Sequence, residues 1–490
     1  MIIDYRFDAH AWENFEARHA MSVVAPLLDV AFRFSAPGAL PVADAAVVFV
    51  GDPVQAPADC AAIVPVAAWP IWQPSTVRVH ARPGGFLLGP ERDLGSEATS
   101  SAMPGAWLRA IAFVVQREEE LLEHHRDEWE CFSGFSSRLH ELGIIDQPLV
   151  NDWASQLEAR VRQWIESRGH TPRTVPRWKN GARFAVALTH DVDWVRRFSL
   201  PQSLRLLRQA HRLNSYAFRH GLSASLDSVR HLGTRQDPYC SFDRWAREES
   251  ELGFRSTFYF CPYDPQPRHE YDPTYRDSDR VDFEGQSVTV ARLMETLAAR
   301  GFEIGLHGSY QSHRSADELA RQKYQIERAS GATLKGLRQH FLRFDLPFTW
   351  SAQEAAGFRY DTTLGYNEAT GFRAGISAPF HPWNPQLRGP YRLLELPLTL
   401  MDGTLFRTLK LNGTLAAGRT RAHLDAVERV GGLAVLLWHP NATDTDRYAG
   451  WWDAYRETLA DLAARNVWVA PAGEIADWWI ERESRLCESA

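Results

Sequence analysis

The chain has 490 residues, 44% of them hydrophobic, with 54 Lys and Arg against 61 Asp and Glu for a formal net charge of -7. That length can bury more than one core and, at about 100–200 residues per domain, predicts two or three domains. The acidic balance excludes a basic footprint for nucleic acid, and a neutral or amine-bearing substrate suits it better. Cys60, Cys131, Cys240, Cys261 and Cys487 are scattered without C-x-x-C spacing, which argues against both a disulfide framework and a cysteine zinc site.

Residues 1–10 lack a basic segment followed by a long apolar one, and charges interrupt every later apolar run before about 18 residues. No export signal or membrane span is therefore expected, and the anticipated compartment is the cytoplasm. Residues 1–175 read as a smaller α/β amino-terminal domain. Strands are expected at Ala45 to Val50 and Ala62 to Val66, with amphipathic helices at Trp107 to Leu122 and Leu149 to Ser167. Residues 168–176 are polar with one Gly and two prolines, and serve as the linker.

From Phe184 to about residue 485, strands and helices alternate as expected of parallel strands with crossover helices. Strand candidates are 184–189, 256–261, 302–306, 334–340, 393–398, 433–438 and 467–470, a count that suits an incomplete (β/α)7 barrel. Helices are expected at Ser241 to Leu252 and Val288 to Arg300. Ser315 and Glu318 form a capping-box pattern that starts another helix.

Two segments carry the chemistry. Thr189-His190-Asp191-Val192-Asp193 places two carboxylates one residue apart at the carboxyl end of an apolar strand, where barrels keep their chemistry. Glu303-Ile304-Gly305-Leu306-His307 ends a short apolar strand on an imidazole, with His313 in the following loop. An Asx turn at the first and a core histidine at the second are the blander alternatives.

The first segment resembles the T-F-D-D-G or F-D-V-D motif of polysaccharide deacetylases, carbohydrate esterase family 4, also called the NodB-homology domain. The second resembles their E-I-G-N-H-T-x-S-H signature. Arg255 to Phe260 is similar to the K-A-T-F-F strand, and Leu437-Trp438-His439-Pro440 to the L-x-H motif. Leu337-Arg338-Gln339-His340-Phe341 takes the place of F-R-x-P-Y, with His340 standing where that motif has Pro. The resemblance covers about residues 180–480.

It implies a hydrolase that removes acetyl from an N-acetylated sugar, polysaccharide or sugar precursor with the help of a divalent metal, zinc by its Asp-His-His set. By resemblance Asp191 is the general base, Arg338 pairs with and orients it, His439 is the general acid, and Asp193 and His307 are metal ligands. The third ligand stays open. The family's histidines are four apart, whereas His307 and His313 are six apart and Gln311 occupies the expected position. His340, which shares a strand face with Arg338, ranks ahead of His313, with His190 third. Asp361, Tyr366 and Trp438 are candidates for the substrate pocket, Asp361 also for orienting Arg338. Met401 to Thr404 receives no role. The alternative functions are a metal-independent, allantoinase-like amidase and a catalytically silent glycan-binding protein that stacks sugars on some of the 18 tryptophans.

Overall fold

A computed structural model describes residues 2–37, 46–50, 60–66, 69–82, 85–90, 103–210, 213, 215–231, 237–239, 241–264 and 269–487. The amino-terminal part is built on a parallel four-stranded sheet of β1 (Ile3–Phe7), β2 (Phe32–Ser35), β3 (Ala46–Val50) and β4 (Ala62–Pro65), in the order β2-β1-β3-β4. Ala45, expected to open β3, lies outside the described residues, as does Cys240. The helix Leu149–Ser167 forms over its expected span and buries Leu149, Val150, Trp153, Leu157, Val161 and Ile165, one apolar stripe at helical spacing.

The stretch expected as one amphipathic helix from Trp107 is two. Trp107–Val115 is buried at every residue, and Glu118–Leu122 follows a break at Arg117, which sits at φ 55°. The break turns the buried Arg117 guanidinium back onto Glu119 and Glu120, both at 2.8 Å. Glu120 in turn accepts two hydrogen bonds from Arg373, at 2.8 and 2.7 Å, and so ties this part to the one that follows.

The second part is one parallel sheet of nine strands: β5 (Phe184–Val192), β6 (Thr257–Phe260), β7 (Glu303–Gly308), β8 (Gly336–Gln339), β9 (Tyr360–Asp361), β10 (Leu394–Glu395), β11 (Leu398–Met401), β12 (Leu433–Leu437) and β13 (Val467–Val469). Its order is β10-β9-β8-β7-β6-β5-β12-β11, and β13 adds to the first residues of β5. The single strand expected at 393–398 is split at Leu396-Pro397. Its first half pairs with β9 and its continuation with β12, so the two ends of the sheet are consecutive pieces of chain. The ring is an incomplete (β/α)7 barrel, one position short of the closed eight-stranded form.

β5 runs three residues further than expected, so that His190 to Val192 belong to the strand and not to the turn after it. Alternation along it turns Asp191 toward the barrel mouth and His190 outward. Gly305 permits a close approach: a Cβ there would lie 2.4 Å from the Tyr259 ring, over which the Arg338 guanidinium sits at 4.9 Å. The helix after Ser315 forms as Ala316–Ser330, capped by the Ser315 hydroxyl on the Glu318 amide. The reciprocal half of the capping box does not form, because the Glu318 carboxylate bonds Arg321 and Gln322 instead.

Candidate active site

The carboxyl ends of β5, β7, β8 and β12 open into a cavity of about 340 Å³ whose wall includes Asp191, Asp193, His307, His340 and His439. His307 Nε2 lies 3.3 Å from Asp193 Oδ1, and His340 Nε2 lies 3.5 Å from the same oxygen. Nδ1 of His307 donates to the Arg338 carbonyl at 3.1 Å, which leaves the Nε2 lone pair free to face the cavity. Asp193 Oδ1 and His307 Nε2 are buried with no hydrogen-bond partner.

These residues fit a divalent cation. Ligands about 2.0–2.2 Å from a tetrahedral centre stand about 3.3–3.6 Å apart, and three protein donors leave the fourth position open. Asp193, His307 and His340 form the one such cluster found among the described residues. Electrostatics points the same way. Burial works against ionising Asp193, but His340, His307 and His439 outweigh it and hold the carboxyl well below its usual range. Burial likewise opposes charge on His307, and Asp191 and Asp193 override it and raise its pKa.

Beside the cluster, Asp191 Oδ1 meets Arg338 Nη1 at 3.2 Å, and Arg338 is held by Thr189 Oγ1 at 2.7 Å and the Thr362 carbonyl at 3.1 Å. On the other side, His439 Nδ1 bonds Asp402 Oδ1 at 2.7 Å, and its backbone N–H donates to Asp402 Oδ2 at 2.8 Å. Burial disfavours the charged imidazole, yet Asp402, Asp193 and Asp191 push its pKa up to about 9. Asp402, left without a role by the sequence reading, is fully buried and directly follows β11. A carboxylate just past a strand end, the signal that singled out Asp191, would have found it.

Five of the candidate residues lie outside the site. His313 sits on the short turn Ser312–Arg314, buried and outside the ligand cluster. Burial and the cations Arg343 and Arg314 push its pKa down to about 4. His190, third in rank as a ligand, points outward, with Nδ1 on the Trp438 carbonyl and Nε2 on Glu249, both at 2.9 Å. Asp361 does not orient Arg338 or meet the cavity. Its neighbour in register is Leu337, so its side chain takes the outer face, where Oδ1 accepts from Thr363. Tyr366 and Trp438 are buried away from the cavity, donating to Ser137 Oγ and the Trp451 carbonyl.

The amino-terminal part supplies Glu128 and Trp129 to the cavity wall. Phe341 and Leu342, directly after His340, both adopt left-handed backbone, at φ 56° and 52°. That turn is braced from the amino-terminal side. Trp129 stacks on Phe341 at 4.3 Å, and Cys131 Sγ reaches the Phe341 and Leu342 carbonyls at 3.4 Å. No local pattern announces such contacts across some 200 residues.

No family model and no curated protein matches the chain. Among solved structures it is similar to one described as a putative polysaccharide deacetylase from Mycobacterium smegmatis, at 23% identity and a TM-score of 0.43, covering 62% of this chain and 93% of that one. A probable polysaccharide deacetylase from Pseudomonas aeruginosa is similar at 16% identity and a TM-score of 0.41, over 65% and 97% of the two chains. A carbohydrate esterase family 4 pseudoenzyme from Bacillus anthracis is similar at 12% identity and a TM-score of 0.27, over 60% and 65%.

Proposed function

We propose that the chain is a metal-dependent hydrolase that removes the acetyl group from an N-acetylated sugar or glycan. The observation that carries this reading is the convergence of the unpartnered donors of Asp193 and His307 with His340, at the spacing one cation needs, between an Arg-held carboxylate and an Asp-held imidazole. Asp193, His307 and His340 would hold the metal, zinc by this donor set, which when bound supplies Lewis acidity to the reaction.

The chain's own residues supply the proton transfers. Arg338 engages Asp191 Oδ1 and leaves Oδ2 toward the cavity, so Asp191 accepts the proton of the water that attacks the acetyl carbon. His439, charged at neutral pH, turns Nε2 toward the cavity because Asp402 holds Nδ1. As the carbon–nitrogen bond breaks, His439 gives its proton to the departing amine, and acetate and the free amino sugar result. Trp129, Tyr216, Tyr448 and Trp451 belong to the cavity wall, where aromatic side chains can pack against a sugar. The division into an amino-terminal α/β domain, 1–175, and a barrel, 180–485, is part of the same proposal.

Metal analysis of the full chain, together with acetate release from N-acetylglucosamine oligomers, tests the reading. The expected result is about one metal per chain, lost along with more than about 100-fold of the activity in Asp193→Ala and His307→Ala. Full activity in both variants would overturn it.

A further inference from the structure

The segment after β5 folds as a helical hairpin, Leu200–Gln209 and Tyr216–Arg230. One face of the second helix belongs to the cavity through Tyr216, His220, Ser223 and Ala224. A neighbouring face, about a third of a turn round, carries Arg219, Leu222, Leu226 and Val229. Together with Leu204 and Leu213, those apolar side chains are between 44% and 79% exposed, an unusual concentration on one small element.

The charge around them is one-sided. From Phe198 to Gln236 the sequence holds Arg205, Arg208, Arg212, Arg219, Arg230 and Arg235 against a single carboxylate, Asp227, in a chain whose net charge is -7; of these, Arg205 is buried and paired with Asp279. Asp227 is already engaged by Arg447 and Arg197. Arg208, Arg219 and Arg230 are exposed and make no ion pair with the described residues. Exposed leucines interleaved with free arginines are the chemistry of a helix that lies in the headgroup layer of an acidic membrane, with its apolar side chains among the acyl chains and its guanidinium groups on the lipid phosphates.

We infer that this hairpin docks the protein on an anionic lipid bilayer, with the cleft opening at the edge of the docked face. The inference stands on the surface alone. Loss of the deacetylase reading would leave vesicle binding in place, and the metal content of the same samples reports on that reading separately.

Sedimentation of the full chain with vesicles of phosphatidylcholine, and of phosphatidylcholine mixed with phosphatidylglycerol, tests the docking. Binding is expected to the mixed vesicles, weaker to the neutral ones, and reduced by salt. The double variant Leu222→Ser, Leu226→Ser is expected to stay in solution with an unchanged circular dichroism spectrum, since both residues are exposed. Arg219→Gln and Arg230→Gln are each expected to weaken binding about fivefold. Three outcomes would overturn the inference: no sedimentation of the wild-type chain with the anionic vesicles, unchanged sedimentation of the leucine variant, or light scattering that shows a dimer abolished by the leucine substitutions, which would assign this face to a second copy of the chain.

Discussion

His190 and His307 are both buried imidazoles on neighbouring parts of one sheet, and their surroundings differ completely. On the outer face, between strands and helices, His190 has both ring nitrogens engaged, by the Trp438 carbonyl and by Glu249, which also accepts from Tyr455. At the mouth, His307 has one nitrogen fixed by a carbonyl and the other left without a partner, 3.3 Å from an equally unpartnered carboxylate oxygen. A buried polar group that stays unsatisfied costs free energy, so a cluster of them marks a place built for something that binds. The outer face holds the fold together, and the inner face is kept ready for a ligand.

The largest expected effect on this contrast is on the inner face. Asp191→Asn should lower kcat/KM by about 10²- to 10⁴-fold while metal content stays at the wild-type level, because in the proposed mechanism the residue accepts a proton and is not among the three proposed ligands. On the outer face, His190→Ala should do the reverse. It leaves Glu249 buried without its imidazole, so urea denaturation should show a loss of about 3 kcal/mol with metal stoichiometry unchanged. Loss of metal from that variant would erase the distinction between the two faces.

A smaller effect is expected from Asp402→Asn. In the proposed mechanism His439 acts as the acid while protonated, so the basic limb of the pH–rate profile should lie near pH 9 in the wild type. Without the Asp402 carboxylate the imidazole's pKa falls, the limb moves to lower pH, and the rate at pH 8 drops about tenfold. A limb that stays in place would remove His439 from that role.

The smallest concerns Asp361 and Glu395, paired in register on β9 and β10. Burial pushes Asp361 up to about 6 and raises Glu395 well above its ordinary value, with Asp361 adding to the effect. Both groups bind protons more tightly in the folded chain, so their contribution to stability is complete below the ordinary carboxyl range and is lost as pH rises, that of Asp361 through about 6. Glu395→Gln should flatten the fall in stability between pH 5 and pH 8 by about 1 kcal/mol, measured by denaturation at both pH values.

Much of the barrel was legible in the chain because strands announce themselves locally. The apolar runs at Phe184, Ser256, Phe302 and Leu433 coincide with β5, β6, β7 and β12 to within a few residues. The break at Leu396-Pro397 was not legible: it divides one strand between two neighbours, and only the closing of the sheet shows which pairs with which. Pro397, the fifth residue of the expected strand, was the available hint. Asp361 was misplaced for a related reason. A polar or aromatic residue near a strand end has a definite face, but which face is inward depends on the register with the next strand.

By itself, the sequence determined the order of strands and helices and placed Asp191 at the carboxyl end of an apolar strand, because both follow from patterns within a few residues; that His190 points outward was shown by the structure. The sequence also named His340 as the leading third donor, from the strand it shares with Arg338. Tertiary structure alone decided that His340 and not His313 meets Asp193, that Asp402 holds His439, and that Trp129 braces the turn beyond His340. Those contacts join residues far apart in the chain, and their existence depends on how loops from separate strands converge once the sheet has curved, which no local pattern of side chains encodes.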